Sequence, residues 1–110
     1  MATGTIKTDN LEVLYSESNA ILTRVRHNYV LRFSGCSPAN YSTAINNIRS
    51  YFPSSLFSVL YSVQNGIYYM ATFGTTENSV SCKIIGTYGN VPTDFTSTSH
   101  LLYGDIVWEK

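Results

Sequence analysis

His27, His100, Cys36 and Cys82 are the side chains of this 110-residue chain best suited to metal or nucleophilic chemistry. Four such groups could complete a zinc tetrahedron, but they are scattered, with no C-x-x-C or H-x-x-x-H pair to seed one. A thiolate beside an imidazole would make a nucleophile. Cys82, however, falls on an inward-facing position of an expected strand, where thiols are usually inert. In a chain that opens without a secretory signal, the two cysteines read as buried free thiols rather than a disulfide. Gly35-Cys36-Ser37 lacks the spacing and the second glycine of a nucleophile elbow. Gly86-Thr87-Tyr88-Gly89 is too short for a phosphate loop and has no lysine. These residues lead us to expect no enzyme, no cofactor and no metal.

Binding chemistry is better represented. Between Ser18 and Thr76 there is no Asp or Glu, while Arg24, Arg26, Arg32 and Arg49 all fall inside. A three-residue hairpin loop at His27-Asn28-Tyr29 would set Val25 against Leu31, Thr23 against Phe33 and Arg24 against Arg32, with Arg26 close by. Like charges in direct opposition repel. Either an acid such as Glu12, Glu17, Asp105 or Glu109 relieves them, or the trio Arg24, Arg26 and Arg32 contacts an anionic ligand or partner.

The neutral polar surface is the second feature. The chain carries 14 Ser, 12 Thr, 9 Asn and nine tyrosines, against 13% charged residues. Tyrosine offers a large contact area at low entropic cost together with a hydroxyl, and sugars match aromatic faces flanked by neutral hydrogen-bonding groups. Tyr88, Asn90, Asp94 and Tyr103, in or beside the longest expected loop, are the candidate ligand contacts.

The elements that must position these residues are short strands. Ser, Thr and Tyr suit strands and turns, and 44% hydrophobic residues suffice for one core. Strands are expected at 6–8, 11–16, 21–26, 30–34, 56–64, 67–73, 79–85 and 101–108. Asn65-Gly66 marks a type I′ turn, which pairs Val63 with Tyr68, Tyr61 with Met70 and Val59 with Thr72. Ser37-Pro38 reads as an N-cap and first helical residue, and Tyr41, Ile45, Ile48 and Phe52 form one helical stripe, so a short helix is expected near 38–49. Residues 87–100 read as a loop. The fold class is all-β: one domain over 1–110, an antiparallel β-sandwich of jelly-roll type with about eight short strands.

Both faces of the Asn65-Gly66 hairpin are apolar. Val59, Tyr61, Val63, Tyr68 and Met70 read as the core face. Leu60, Ile67, Tyr69, Ala71 and Phe73, set among serines, read as a contact surface, with Leu60, Ile67, Tyr69 and Phe73 at a subunit interface. The competing reading covers that face with the Tyr41/Ile45/Ile48 stripe.

Seven Lys+Arg balance seven Asp+Glu, which argues against a general nucleic-acid binder. No stretch is long and apolar enough for a membrane span. The segments Gly4-Thr5-Ile6-Lys7-Thr8, Val25-Arg26-His27-Asn28-Tyr29-Val30-Leu31, Tyr51-Phe52-Pro53-Ser54-Ser55 and Leu102-Tyr103-Gly104-Asp105-Ile106 carry a resemblance. With them, the chain resembles the small β-rich terminal modules of bacteriophage tail-fibre and receptor-binding structural proteins. Where this chain has Tyr51-Phe52 such modules often carry an arginine. The resemblance implies a homotrimeric, non-enzymatic adhesion module on the virion surface that attaches to a host-surface glycan or protein. Met1 at the head of so short a chain also leaves room for a free-standing phage protein. The arginines and that length motivate an alternative, a small inhibitor of a host defence protein or its nucleotide signal.

Overall fold

Asn65 and Gly66 take the left-handed backbone of a type I′ turn, with φ of 52° and 76°. The hairpin they close pairs β4 (Leu56–Gln64) with β5 (Ile67–Thr75) in the expected register, Val63 opposite Tyr68 and Tyr61 opposite Met70. This computed structural model describes residues 10–86 and 91–110, so the strand expected at Ile6–Thr8 lies outside the described residues.

The remaining strands are β1 (Glu12–Glu17), β2 (Ala20–Val25), β3 (Asn28–Cys36), β6 (Val80–Ile85), β7 (Thr93–Asp94) and β8 (Leu101–Glu109). All eight join antiparallel in the order β1-β2-β3-β8-β4-β5-β6-β7. The all-β expectation holds, as does the short helix. Helix α1 spans Pro38–Ile48, and Ser37 Oγ caps it by accepting from the Asn40 amide at 3.2 Å. Its stripe of Tyr41, Ala44, Ile45 and Ile48 is buried against the sheet.

One seam shapes the sheet. β4 meets β8 through only three pairs, Tyr61–Tyr103, Ser62–Leu102 and Val63–Leu101. Beyond them, β8 continues against β3 and β4 continues against β5, so two four-stranded halves part from a short shared edge. Phe52 contacts both halves, its ring centroid 4.9 Å from Trp108 of β8 and 5.4 Å from Phe73 of β5. The Trp108 indole N–H donates to the Tyr51 carbonyl at 3.0 Å, which ties the segment after α1 to β8. The result is sandwich-like, with α1 and its following turn as the second layer. Gly35, at φ 79°, takes the bulge where β3 shifts register against β8.

Two sequence readings are corrected. The β2–β3 hairpin closes over two residues, Arg26 and His27, not three: Val25 faces Asn28, Arg24 faces Tyr29 and Leu22 faces Leu31. Burial decides it, because this register puts Ala20, Leu22, Tyr29, Leu31 and Phe33 together on the covered face. Arg26 accepts a φ of 57° to close the turn.

The second correction concerns the faces of the β4–β5 hairpin, which are the reverse of those expected. Leu60, Ala71 and Phe73 are in the core, where Phe52 of the segment after α1 packs on Phe73, whereas Val59, Tyr61, Tyr68 and Met70 are exposed. The subunit interface expected at Leu60, Ile67, Tyr69 and Phe73 is therefore not available. Leu60 and Phe73 are buried within the chain, Tyr69 is half-buried, and only Ile67, at the hairpin tip, is exposed. A register argument fixes which side chains share a face but not which face is covered, and here the covered face is the one that also carries Ala71 and Ser62.

Candidate functional site

The segment expected to be a featureless loop is organised from its centre. Phe95 is fully buried, with its ring edge-on to Tyr41 at 5.3 Å. Asp94 Oδ1 accepts from the Thr96 amide at 3.1 Å and from the Thr96 hydroxyl at 2.9 Å, capping a 3-10 turn over Phe95–Ser97. These two bonds, the amide first, hold the Asp94 carboxyl below the usual carboxylate range. Thr98 Oγ1 then donates to the Phe95 carbonyl and accepts from the His100 amide. The chain is thus steered so that His100 enters the sheet beside Ser62.

Ser62 and His100 form a buried polar pair, 0% and 7% exposed, with Ser62 Oγ 3.0 Å from His100 Nδ1. Burial pushes the imidazole below its ordinary pKa of 6.5, so the ring is neutral at pH 7. Nε2 has no hydrogen-bond partner among the described residues and donates or accepts according to tautomer. Tyr69 from β5 packs edge-to-face on the imidazole with ring centroids 4.5 Å apart. Gln64, one turn of the strand beyond Ser62, donates through Nε2 to Ser99 Oγ.

These residues border a pocket of about 420 Å³. Its walls are Gln64, Tyr69, Thr93, Thr98, Ser99 and His100, with Ile84 as an apolar patch, and none of the described wall residues is charged. An aromatic ring, a neutral imidazole, an amide and several hydroxyls are suited to an uncharged, hydroxyl-rich ligand. They are poorly suited to acyl transfer. Ser62 has no exposed surface with which to meet a substrate, and Nδ1 is spent on it while no carboxylate among the described residues orients the ring.

A larger depression of about 590 Å³ lies between Arg49, Pro53, Thr76, Glu77 and Lys110. Much of its polar lining is consumed locally, while Arg49 and Glu77 give it charges of both signs. Lys110 Nζ donates to the Ser50 and Phe52 carbonyls, Thr75 Oγ1 to the Pro53 carbonyl, and the Thr76 and Ser79 hydroxyls bond each other. The His100 pocket is the better site.

The sequence-derived ligand set is not assembled. Tyr88 and Asn90 lie outside the described residues. Asp94 is spent on its turn and on Lys83, at 3.8 Å, while Tyr103 stands on the opposite, outer face of the sheet, stacked on Tyr61 at 5.2 Å. Strands β4, β5 and β6 separate the two. The arginine cluster is not formed either. Arg24 shares a face with Tyr29 and makes two bonds to Glu12, at 3.0 and 3.1 Å, whereas Arg32 on the outer face grips Asp105 at 2.9 and 3.2 Å. The pairings with Glu12 and Asp105 are two of those expected to relieve the charge, but the direct Arg24–Arg32 opposition disappeared with the loop register. Arg26 sits in the β2–β3 turn.

Cys36 and Cys82 are buried free thiols, as expected, and burial raises them to about 11 and about 12. Among the described residues no three His, Cys, Asp or Glu groups stand together as a metal cage. Nor is any described helix long and apolar enough to cross a membrane. Sequence reasoning weighed His100 only as a metal ligand or thiol partner and missed Ser62 and Gln64. The available signal was two polar residues at alternate positions of a strand otherwise rich in large apolar side chains. Comparison with protein-family models, curated proteins and solved structures returns no match to this chain.

Proposed function

We propose that this chain is a non-enzymatic adhesion module that binds a neutral carbohydrate in the His100 pocket. The observation that carries the reading is the pocket's composition: uncharged hydrogen-bonding groups around one tyrosine ring and an imidazole kept neutral by burial. Such a lining selects against ions and favours a ligand whose hydroxyls exchange water for Gln64, Ser99 and His100 while a ring face meets Tyr69. A place on a phage virion surface, with a host glycan or glycan-bearing protein as target, is supported by the sequence resemblance alone. The alternative, a small inhibitor of host defence, drew on a cluster of arginines that does not form, with Arg24 and Arg32 ion-paired on opposite faces of the sheet.

A glycan array, followed by binding to bacterial cells, tests the reading. The wild-type protein should bind a defined group of neutral glycans, and Gln64→Ala and His100→Ala, folded by circular dichroism, should bind them at least tenfold more weakly. A folded wild type that binds neither array nor cells would refute it.

A further inference from the structure

The face of the sheet opposite the helix carries no covering layer among the described residues, yet its centre, on β4 and the adjoining parts of β5 and β8, is apolar. Phe57, Val59, Tyr61, Tyr68, Met70 and Val107 are 42–69% exposed on it, and Leu101 extends it beside Val63, while the Arg32–Asp105 pair bounds it toward β3. Tyr68, Tyr61 and Tyr103 form a ladder across β5, β4 and β8, with ring centroids 5.7 and 5.2 Å apart. A sheet that meets water on one face normally alternates apolar with polar residues. This one does not.

We infer that this outer face is the interface of a homodimer in which two copies pack sheet against sheet about a two-fold axis. Three observations name a second copy as the occupant. The first is area. At the exposures given, these seven side chains, whose aromatics each offer about 150–250 Å², present roughly 700 Å², near the ~800 Å² per partner of a stable interface. That exceeds the ~300–600 Å² of the largest patch on an ordinary monomer.

The second observation is charge. Two ion pairs beside the patch, Arg32 with Asp105 and Lys83 with Asp94, are closed within the chain, which leaves Glu109 at its rim and little net charge with which the face could select a charged partner. The chain's formal charge is zero, so two copies meet without repulsion. The third is shape. An open, multi-stranded face is matched by another sheet face at about 10 Å, with interdigitating side chains. Such a contact is the same patch on both copies and closes at two. The inference does not rest on the carbohydrate reading. The His100 pocket lies on the helix-bearing side of the sheet, so the dimer would leave two pockets open.

The test is solution mass by light scattering from 1 to 100 µM. The wild type should elute at twice the 12.3 kDa chain mass. Val59→Lys/Met70→Lys, which changes only exposed positions, should be a monomer with an unchanged near-ultraviolet spectrum. If that double variant unfolds, Val107→Lys serves in its place and should raise the dimer dissociation constant at least tenfold. Asn46→Lys, on the exposed side of α1, should leave the wild-type mass unchanged. A wild-type monomer at 100 µM, a trimer, or a folded Val59→Lys/Met70→Lys that stays dimeric would each overturn the inference.

Discussion

Gly104→Ala should strike the seam on which the two halves of the sheet depend. Gly104 directly follows the Tyr61–Tyr103 pair and faces Phe33 across β3. A β-carbon there would stand 2.7 Å from Leu60 Cδ2 and 3.5 Å from Leu60 Cα. Carbon atoms pack at about 3.5–4.0 Å, so the first contact is too short by roughly 1 Å. Leu60 is itself buried, so its side chain has little room to retreat. Overpacking of this kind costs about 1–3 kcal/mol. The backbone at φ 129° adds about 1–3 kcal/mol for a residue with a side chain, while the lower chain entropy of unfolded Ala returns about 0.4–1 kcal/mol. The net expectation is a loss of about 3 kcal/mol, or roughly 15 °C in Tm for a domain of this size. Urea unfolding followed by circular dichroism measures it. Gly66→Ala separates the two causes, because that glycine also has positive φ but nothing within 4 Å of the added carbon. It should cost distinctly less. In Leu60→Ala/Gly104→Ala the losses should be less than additive, since the truncated side chain vacates the contested space. A Gly104→Ala loss under about 0.5 kcal/mol, or strict additivity, would show that no steric conflict exists there.

Tyr41→Phe should be neutral or stabilising by up to about 1 kcal/mol in the same assay, because the Tyr41 hydroxyl is buried without a hydrogen-bond partner; a loss above 1 kcal/mol would reveal one. Stability should fall as pH drops below 6.5, where His100 protonates in the unfolded chain but, with its folded pKa depressed by burial, not yet in the native state; His100→Gln should flatten that part of the profile. A further fall near pH 4 and below should follow the lowered carboxyls of Asp94 and Glu12. Neither Cys36 nor Cys82 should react with a thiol reagent at pH 8 in the native protein, and both should react in denaturant; rapid native labelling would contradict the burial that holds them at about 11 and about 12.

What could be read from residues alone was local. Asn65-Gly66 dictates its turn because few other pairs accept two left-handed residues, and Ser37-Pro38 dictates a helix start for equally local reasons. The strands other than β7 within the described residues followed from the same alternation and turn chemistry. What escaped was settled across distance. The loop between β2 and β3 looked three residues long until the shared burial of Leu22 with Leu31 and Ala20 with Phe33 was taken into account. The hairpin's two faces were equally apolar in sequence, and only the covering layer distinguishes them. Phe95 anchors a segment that reads as loop, since one buried aromatic leaves no periodic signature. The candidate site shared that fate. Ser62 and His100 are 38 positions apart, and nothing short of the β4–β8 seam brings them to 3.0 Å.

The most direct test of the central claim is a nuclear magnetic resonance titration of protein labelled at its histidine rings and glutamine side-chain amides. The titrant is the neutral glycan bound best on the array, at pH 7. Saturable shifts of the His100 ring and the Gln64 amide are expected, with His27 unchanged and the His100 imidazole still neutral in the complex. Saturable binding that leaves His100 and Gln64 unmoved would contradict it and place recognition elsewhere on the molecule.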